Sequence, residues 1–231
     1  MKAMITPLCK PLPSERPRPG RLTRRSWLPA LLAALFMACL GGCGKPPMLV
    51  NQYLLEYPAP VVDRKAKLST DVKVDLFSVA QAFNTNAMVY QPHPYQSQSY
   101  NYSRWRANPG NLVTDYLIRD LRESGLFKAV FGPSSTGKHR FKLEGGVAEF
   151  QELDTPGGWQ ASLALTVTLL DMDKEELPQR VVFQKNYRVQ EPMPVKTPQG
   201  LAQGMSRAME QVSARIIMDV YEAARTRAAG K

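Results

Sequence analysis

The sequence predicts an α+β fold: a two-layer domain with a mainly antiparallel sheet and two principal helices on one face. Three observations predict it. Two segments, residues 112–121 and 201–220, repeat apolar side chains at helical spacing. Three runs, starting near Phe141, Leu163 and Val181, alternate apolar and polar residues, the period of a half-buried strand. Turn-forming residues separate those runs, which makes them antiparallel hairpin neighbours.

The N-terminal segment differs from the rest. The chain has 231 residues, 44% hydrophobic and 22% charged, so it is neither disordered nor an integral membrane protein. Residues 1–42 carry seven Lys and Arg against one Glu, so +6 of the formal +10 falls there and +4 remains on residues 43–231. That balance is an ordinary surface and argues against a nucleic-acid partner. Arg21, Arg24 and Arg25 precede an apolar run of 14 residues, Trp27 to Leu40. A membrane-spanning helix needs about 20 apolar residues, so the run fits a signal peptide instead. Leu40-Gly41-Gly42-Cys43 follows and resembles the bacterial lipobox. Cys43 is the candidate lipidation site and becomes the N-terminus after cleavage. Thr23-Arg24-Arg25-Ser26-Trp27-Leu28 matches part of a twin-arginine export signal, and the export route stays open. Cys9 and Cys39 precede the cleavage point, so the processed chain keeps no free thiol and no disulfide.

The expected organisation is a signal peptide over 1–42, a lipidated tether over 43–50 and a single periplasmic domain over 51–227. The tether is short, reaching about 30 Å at most, so the domain is expected close to its membrane. Gln52 to Tyr57 reads as a first strand, closed by Pro58. Val72, Val74 and Leu76 alternate inward as a second, and residues 87–90 form a third. The polar, Tyr- and Gln-rich stretch from Gln91 to Tyr102 has two prolines and no period, so it reads as a loop. Residues 103–106 return to strand character. Asn108 is the expected N-cap of a helix opened by Pro109, with Val113, Leu117 and Leu121 as its apolar stripe and Gly125 at its end. Gly145-Gly146, inside the first long alternating run, suggests a bulge or close approach. Thr197-Pro198 starts the last helix, with Leu201, Met205, Ala208, Val212, Ile216 and Val220 buried.

Few motifs point to chemistry. Gly132 to Lys138 nearly spells a phosphate-binding loop, but His139 stands where Ser or Thr should ligate magnesium and a strand pattern follows. A hairpin-type loop is expected there. Asp171, Asp173 and Glu175 suggest a calcium loop, yet Glu176 and Val182 hold the positions that require Gly and Glu, so a solvated acidic turn is expected. With two histidines and no Gly-x-Ser-x-Gly elbow, no metal set and no catalytic residues are singled out. The segment Tyr102, Ser103, Arg104, Trp105, Arg106 is the most distinctive. Tyr, Trp and Arg dominate contact hot spots, so Tyr102, Arg104, Trp105 and Arg106 are the candidate partner-binding residues. The competing reading makes Tyr102 and Trp105 core residues where the strand meets the helix.

These stretches, taken in order, are similar to a known family. They are Tyr53-Leu54-Leu55-Glu56-Tyr57-Pro58, Val72-x-Val74, Met88-Val89-Tyr90, Tyr102-Ser103-Arg104-Trp105 before a Pro-started helix, and Ser124-Gly125-Leu126-Phe127-x-x-Val130. The chain resembles the ABC-type transport auxiliary lipoproteins. Arg106-Ala107-Asn108-Pro109 departs from the family's small acidic run, and the loop from Gln91 looks long. The resemblance implies a non-catalytic docking subunit of an MCE-type lipid transport system. Its implied setting is the outer membrane, facing the periplasm, with no cofactor beyond a covalent lipid on Cys43. Gly44 agrees, since Asp after the cysteine retains lipoproteins in the inner membrane. The implied partners are the membrane and an MCE-domain protein, and a homo-oligomer is compatible with this role. The alternative is a periplasmic carrier of lipid or another hydrophobic ligand, which would need an apolar cavity between sheet and helices.

Overall fold

The computed structural model describes residues 48–62 and 65–229. The signal segment, Cys43 and most of the tether lie outside the described residues. In chain order the elements are β1 (Asn51–Tyr53), β2 (Asp71–Val74), β3 (Ser78–Val79), a 3-10 turn (Gln81–Phe83), β4 (Ala87–Gln91) and β5 (Gln98–Trp105). Then come α1 (Pro109–Glu123), β6 (Ala129–Phe131), β7 (Phe141–Thr155), β8 (Gly158–Asp171), α2 (Leu177–Arg180), β9 (Val181–Met193) and α3 (Pro198–Ala229).

β7 is the spine. β8 occupies one edge along its whole length, from Phe141 opposite Asp171 to Thr155 opposite Gly158, and β9 continues beyond β8. The other edge of β7 is shared by three short parallel strands: β2 at 141–143, β3 at 146–147 and β4 at 152–153. β5 pairs antiparallel with β4, and β1 pairs parallel with β5. The β7–β8–β9 hairpins are the expected antiparallel set. The sheet as a whole is mixed rather than mainly antiparallel: five of its eight pairings among the described residues are parallel. No hairpin turn ties β2, β3 or β4 to β7, so no local feature fixes their direction.

The sheet curls where β7 shifts register between Val147 and Glu149, a bulge that bends a strand and sharpens its twist. Just before it, Gly145 lets the Phe77 ring and the next strand come close. A Cβ there would sit 2.3 Å from the Thr166 carbonyl oxygen and 2.7 Å from the Phe77 ring. Phe77 also corrects the expected alternation of the second strand. Val72 and Val74 are buried, but Leu76 is exposed and Phe77 turns inward. The chain steps from β2 to β3 at that point, and the Phe77 N–H donates to Thr114 Oγ1 at 3.0 Å.

Both principal helices form for the expected reasons. Asn108 accepts from Gly110 N at 3.0 Å, Pro109 opens α1, and Gly125 takes the left-handed φ of 67° that ends it. Leu112, Val113, Leu117, Ile118 and Leu121 are its buried face. α1 packs on β2, β3, β6 and β7, whereas α3 packs on β7, β8, β9 and β1, and the two helices touch. All six predicted stripe residues of α3 are fully buried, each stabilising the fold by about 1.5–3 kcal/mol for the larger side chains. Residues 132–140 form a loop leading into β7, with no helix after it. It is no hairpin: β6 and β7 lie on opposite sides of β2.

The stretch from Gln91 is shorter as a loop than its sequence suggests. Residues 92–97 form the turn of the β4–β5 hairpin, while 98–102 belong to β5. Few of its side chains are apolar, so no period marked it. Tyr100 anchors it instead, packing 5.0 Å from Tyr90 across the hairpin.

Candidate functional site

β5 presents the predicted contact residues, and its alternation divides them. Tyr102, Arg104 and Arg106 are exposed, whereas Ser103 and Trp105 are buried. Trp105 is only 2% exposed and meets Phe150 of β7 edge to face at 5.1 Å. Its backbone N–H donates to the Asn86 carbonyl at 2.7 Å. Trp105 is therefore part of the core, and the row open to a partner is Tyr102, Arg104 and Arg106. Tyr102 and Arg104, on one strand face, stand about 6.5–7 Å apart, and Arg106 follows just past the strand's end, so the row offers one aromatic ring and two guanidinium groups. β1 stiffens its lower half. Arg106 N donates to the Tyr53 carbonyl at 2.8 Å, and the Arg106 guanidinium donates to Gln52 Oε1.

Two polar clusters hold the elements around this row. The first is on α1. Asp120 is fully buried, accepts from the Tyr57 hydroxyl at 2.8 Å and pairs with Arg119 at 2.7 Å. The Arg119 guanidinium lies over the Tyr57 and Tyr116 rings at 4.4 and 4.5 Å, and the Tyr116 hydroxyl donates to the Leu55 carbonyl. Burial, then the neighbouring Asp120 charge, drives the Tyr57 hydroxyl far above its ordinary pKa, so it remains a donor. The cluster fastens the chain after β1 to α1.

The second cluster lies where the β4–β5 turn, the end of β7 and the start of α3 converge. Glu152 is fully buried and accepts from the Tyr100 hydroxyl at 2.8 Å. Lys196 pairs with Asp154 and stands 5.4 Å from the Tyr90 ring. Burial above all pushes the Glu152 carboxyl up from its usual 4.5. A carboxyl raised in the folded state stabilises the fold relatively more below pH 4.5 and loses that contribution as pH climbs through the folded value. Glu152→Gln should therefore melt above the wild type at pH 8, with the gap closing toward pH 4. Parallel melts across that range check it, and a gap constant with pH would show that Glu152 is not the titrating group.

In both clusters the hydroxyl beside a carboxylate is a tyrosine, Tyr57 on Asp120 and Tyr100 on Glu152, and burial raises the pKa of each so that it remains a protonated donor. Ser206, the serine after Gly204-Met205, accepts from Glu56 N and donates to the Ala202 carbonyl, which uses it in the packing of α3. Among the described residues no three His, Cys, Asp or Glu side chains are placed to hold a metal ion. Asp171 and Asp173 of the acidic turn face Arg140 at 3.6 and 3.5 Å. The described helices include none long and apolar enough to cross a membrane. The space between sheet and helices is filled by Leu117, Leu121, Leu163, Met205, Val212 and Ile216, all fully buried.

Known proteins place this architecture. A Xanthomonas campestris protein of the DUF330 family has a similar structure, with a TM-score of 0.71 at 19% identity over 78% of this chain and 99% of that one. An uncharacterized protein of known structure is similar at a TM-score of 0.57 and 14% identity, over 74% of this chain and 99% of that one. At these identities the likeness concerns the fold alone. No curated protein matches the chain. The family model of the ABC-type transport auxiliary lipoprotein component matches residues 53–217, from β1 to the middle of α3. That match spans well over half of the sequence, and the chain belongs to the ABC-type transport auxiliary lipoprotein component family.

Proposed function

We propose that this auxiliary lipoprotein is a non-catalytic docking subunit, held to the outer membrane by lipid on Cys43 and facing the periplasm. There it meets the MCE-domain protein of an ABC-type lipid transport system. The observation that carries the reading is the family match over residues 53–217, joined to the exposed row of Tyr102 and Arg104 on β5 and Arg106 just after it. Packing supports docking over carriage. A lipid carrier needs an apolar space between sheet and helices, and here large side chains fill that space.

The test is a pull-down of the MCE-domain protein by the tagged, membrane-extracted chain. Arg104→Ala combined with Arg106→Ala should weaken capture at least tenfold, as two interface guanidinium groups each contribute about 1–2 kcal/mol. The melting temperature should stay within a few degrees, because both side chains are exposed. Capture at wild-type level by the double variant would remove the β5 row from the interface.

A further inference from the structure

We infer that the end of the domain nearest Cys43 inserts into the bilayer interface, giving the protein a second membrane attachment that orients it. The inference deepens the proposed lipid anchoring and rests on it. Among the described residues, large apolar side chains are exposed at eleven positions; Tyr95, Trp159 and Val195 share one end, and Met48, Leu49 and Val50 lead into β1 from that side. Strand register puts them there. Tyr90 pairs with Gln98 to close the hairpin turn that carries Tyr95, and Gln91 lies beside Leu153 near the end of β7. One register step on, Asp154 faces Trp159, which in turn faces Met193, two residues before Val195. Lys196 draws the group together by pairing with Asp154 beneath the Tyr90 ring. β1 runs parallel to β5, so residues 48–50 come in from the end at which β5 begins.

These side chains suit a lipid surface. Tyr95 and Leu49 are 102% and 82% exposed, and large apolar side chains left open to water on one side of a domain mark an interaction surface. Tyr and Trp combine an apolar body with a polar tip and concentrate at membrane interfaces. Lys196, a cation at this end, is matched by Asp154, so its approach to the bilayer does not bring a lone charge among the acyl chains. Chain length supplies the remaining argument. Five peptide steps separate Cys43 from Met48, and they span no more than about 18 Å at full extension. A lipid on Cys43 thus confines this end, and not the opposite one, to the membrane surface. The strands of β7, β8 and β9 then stand away from the bilayer, and the acidic turn after β8 lies no more than about 45 Å from the inserted end, given 3.3 Å per residue.

The experiment uses the full chain, processed by its host, in vesicles of phosphatidylethanolamine and phosphatidylglycerol containing phosphatidylcholine with brominated acyl chains. Trp105 and Trp159 are the two tryptophans after Cys43, and Trp105 is core. Bromine should quench about half of the emission, as an interfacial Trp159 predicts, and Trp159→Phe should abolish the quenching without releasing the protein from the vesicles. Tyr95→Ser with Leu49→Ser should reduce it. Flotation with the vesicles but no quenching would overturn the inserted end and leave the lipid anchor standing. Failure to float, with Cys43 unmodified by mass spectrometry, would overturn both. A second copy of the chain covering this end would leave Trp159 unquenched with blue-shifted emission in detergent as well, which would also overturn it.

Discussion

Trp105→Ala is expected to cost about 3–5 kcal/mol of stability, the usual range for emptying a large aromatic site in a packed core. The indole is 2% exposed and its edge meets Phe150 at 5.1 Å. Nearby strands cannot collapse into the space. β4 is tied to β7 at Tyr90 and Gln91, and β5 is held by β1 on its far side. Thermal or urea unfolding of the purified variant checks the loss, and pull-down at a temperature where it is folded checks binding. The expected pairing is a large drop in stability with capture of the MCE-domain protein retained. An unchanged melting temperature with lost capture would return Trp105 to the contact surface.

Asp120→Ala should also destabilise strongly, by about 2–3 kcal/mol. Breaking a buried ion pair costs about 3–5 kcal/mol, but the Arg119 side chain is 32% exposed and water would recover part of its solvation. The variant strands the buried Tyr57 hydroxyl and frees Arg119 from the carboxylate that holds it over two rings. The loss should be local in its consequences. Leu55 to Tyr57 are fastened to α1 through this cluster, so amides there should exchange faster than those of β7 and β8. Hydrogen exchange on the variant reads this directly. Uniform acceleration across β7 and β8 would mean that Asp120 supports the whole core rather than the segment after β1.

How much of this was legible in the sequence follows from how local each signal is. α1 and α3 were readable because caps and stripes lie within one segment: Asn108, Pro109 and Gly125 delimit the first, and the stripe from Leu201 to Val220 marks the second. The β7–β8–β9 ladder was readable because Pro156-Gly157 and the acidic turn join long alternating strands. Of the short parallel strands, β1, β2 and β4 show as short runs, but their pairing direction does not, and β3 and β6 leave no run. β3 has two residues and β4 five, and each meets β7 through contacts distant in the chain. The first half of β5 has the sequence of a loop because it is anchored by Tyr100 on Tyr90 and Glu152 rather than by an apolar period. The same applies to the candidate site. Alternation from Tyr102 to Arg106 implies that Trp105 opposes its neighbours, but which side is buried depends on Phe150, 45 residues away. The Asp120 and Glu152 clusters left no sequence signal, since each joins elements dispersed along the chain.

Everything proposed about placement depends on Cys43. The most direct measurement is metabolic labelling of the host with a fatty acid, followed by density separation of its membranes. The wild-type chain should carry label and band with the outer membrane. Cys43→Ala should carry none and persist at precursor size, because that thiol is the proposed acceptor. Label retained by the Cys43→Ala chain, or labelled wild type banding with the inner membrane, would contradict the account.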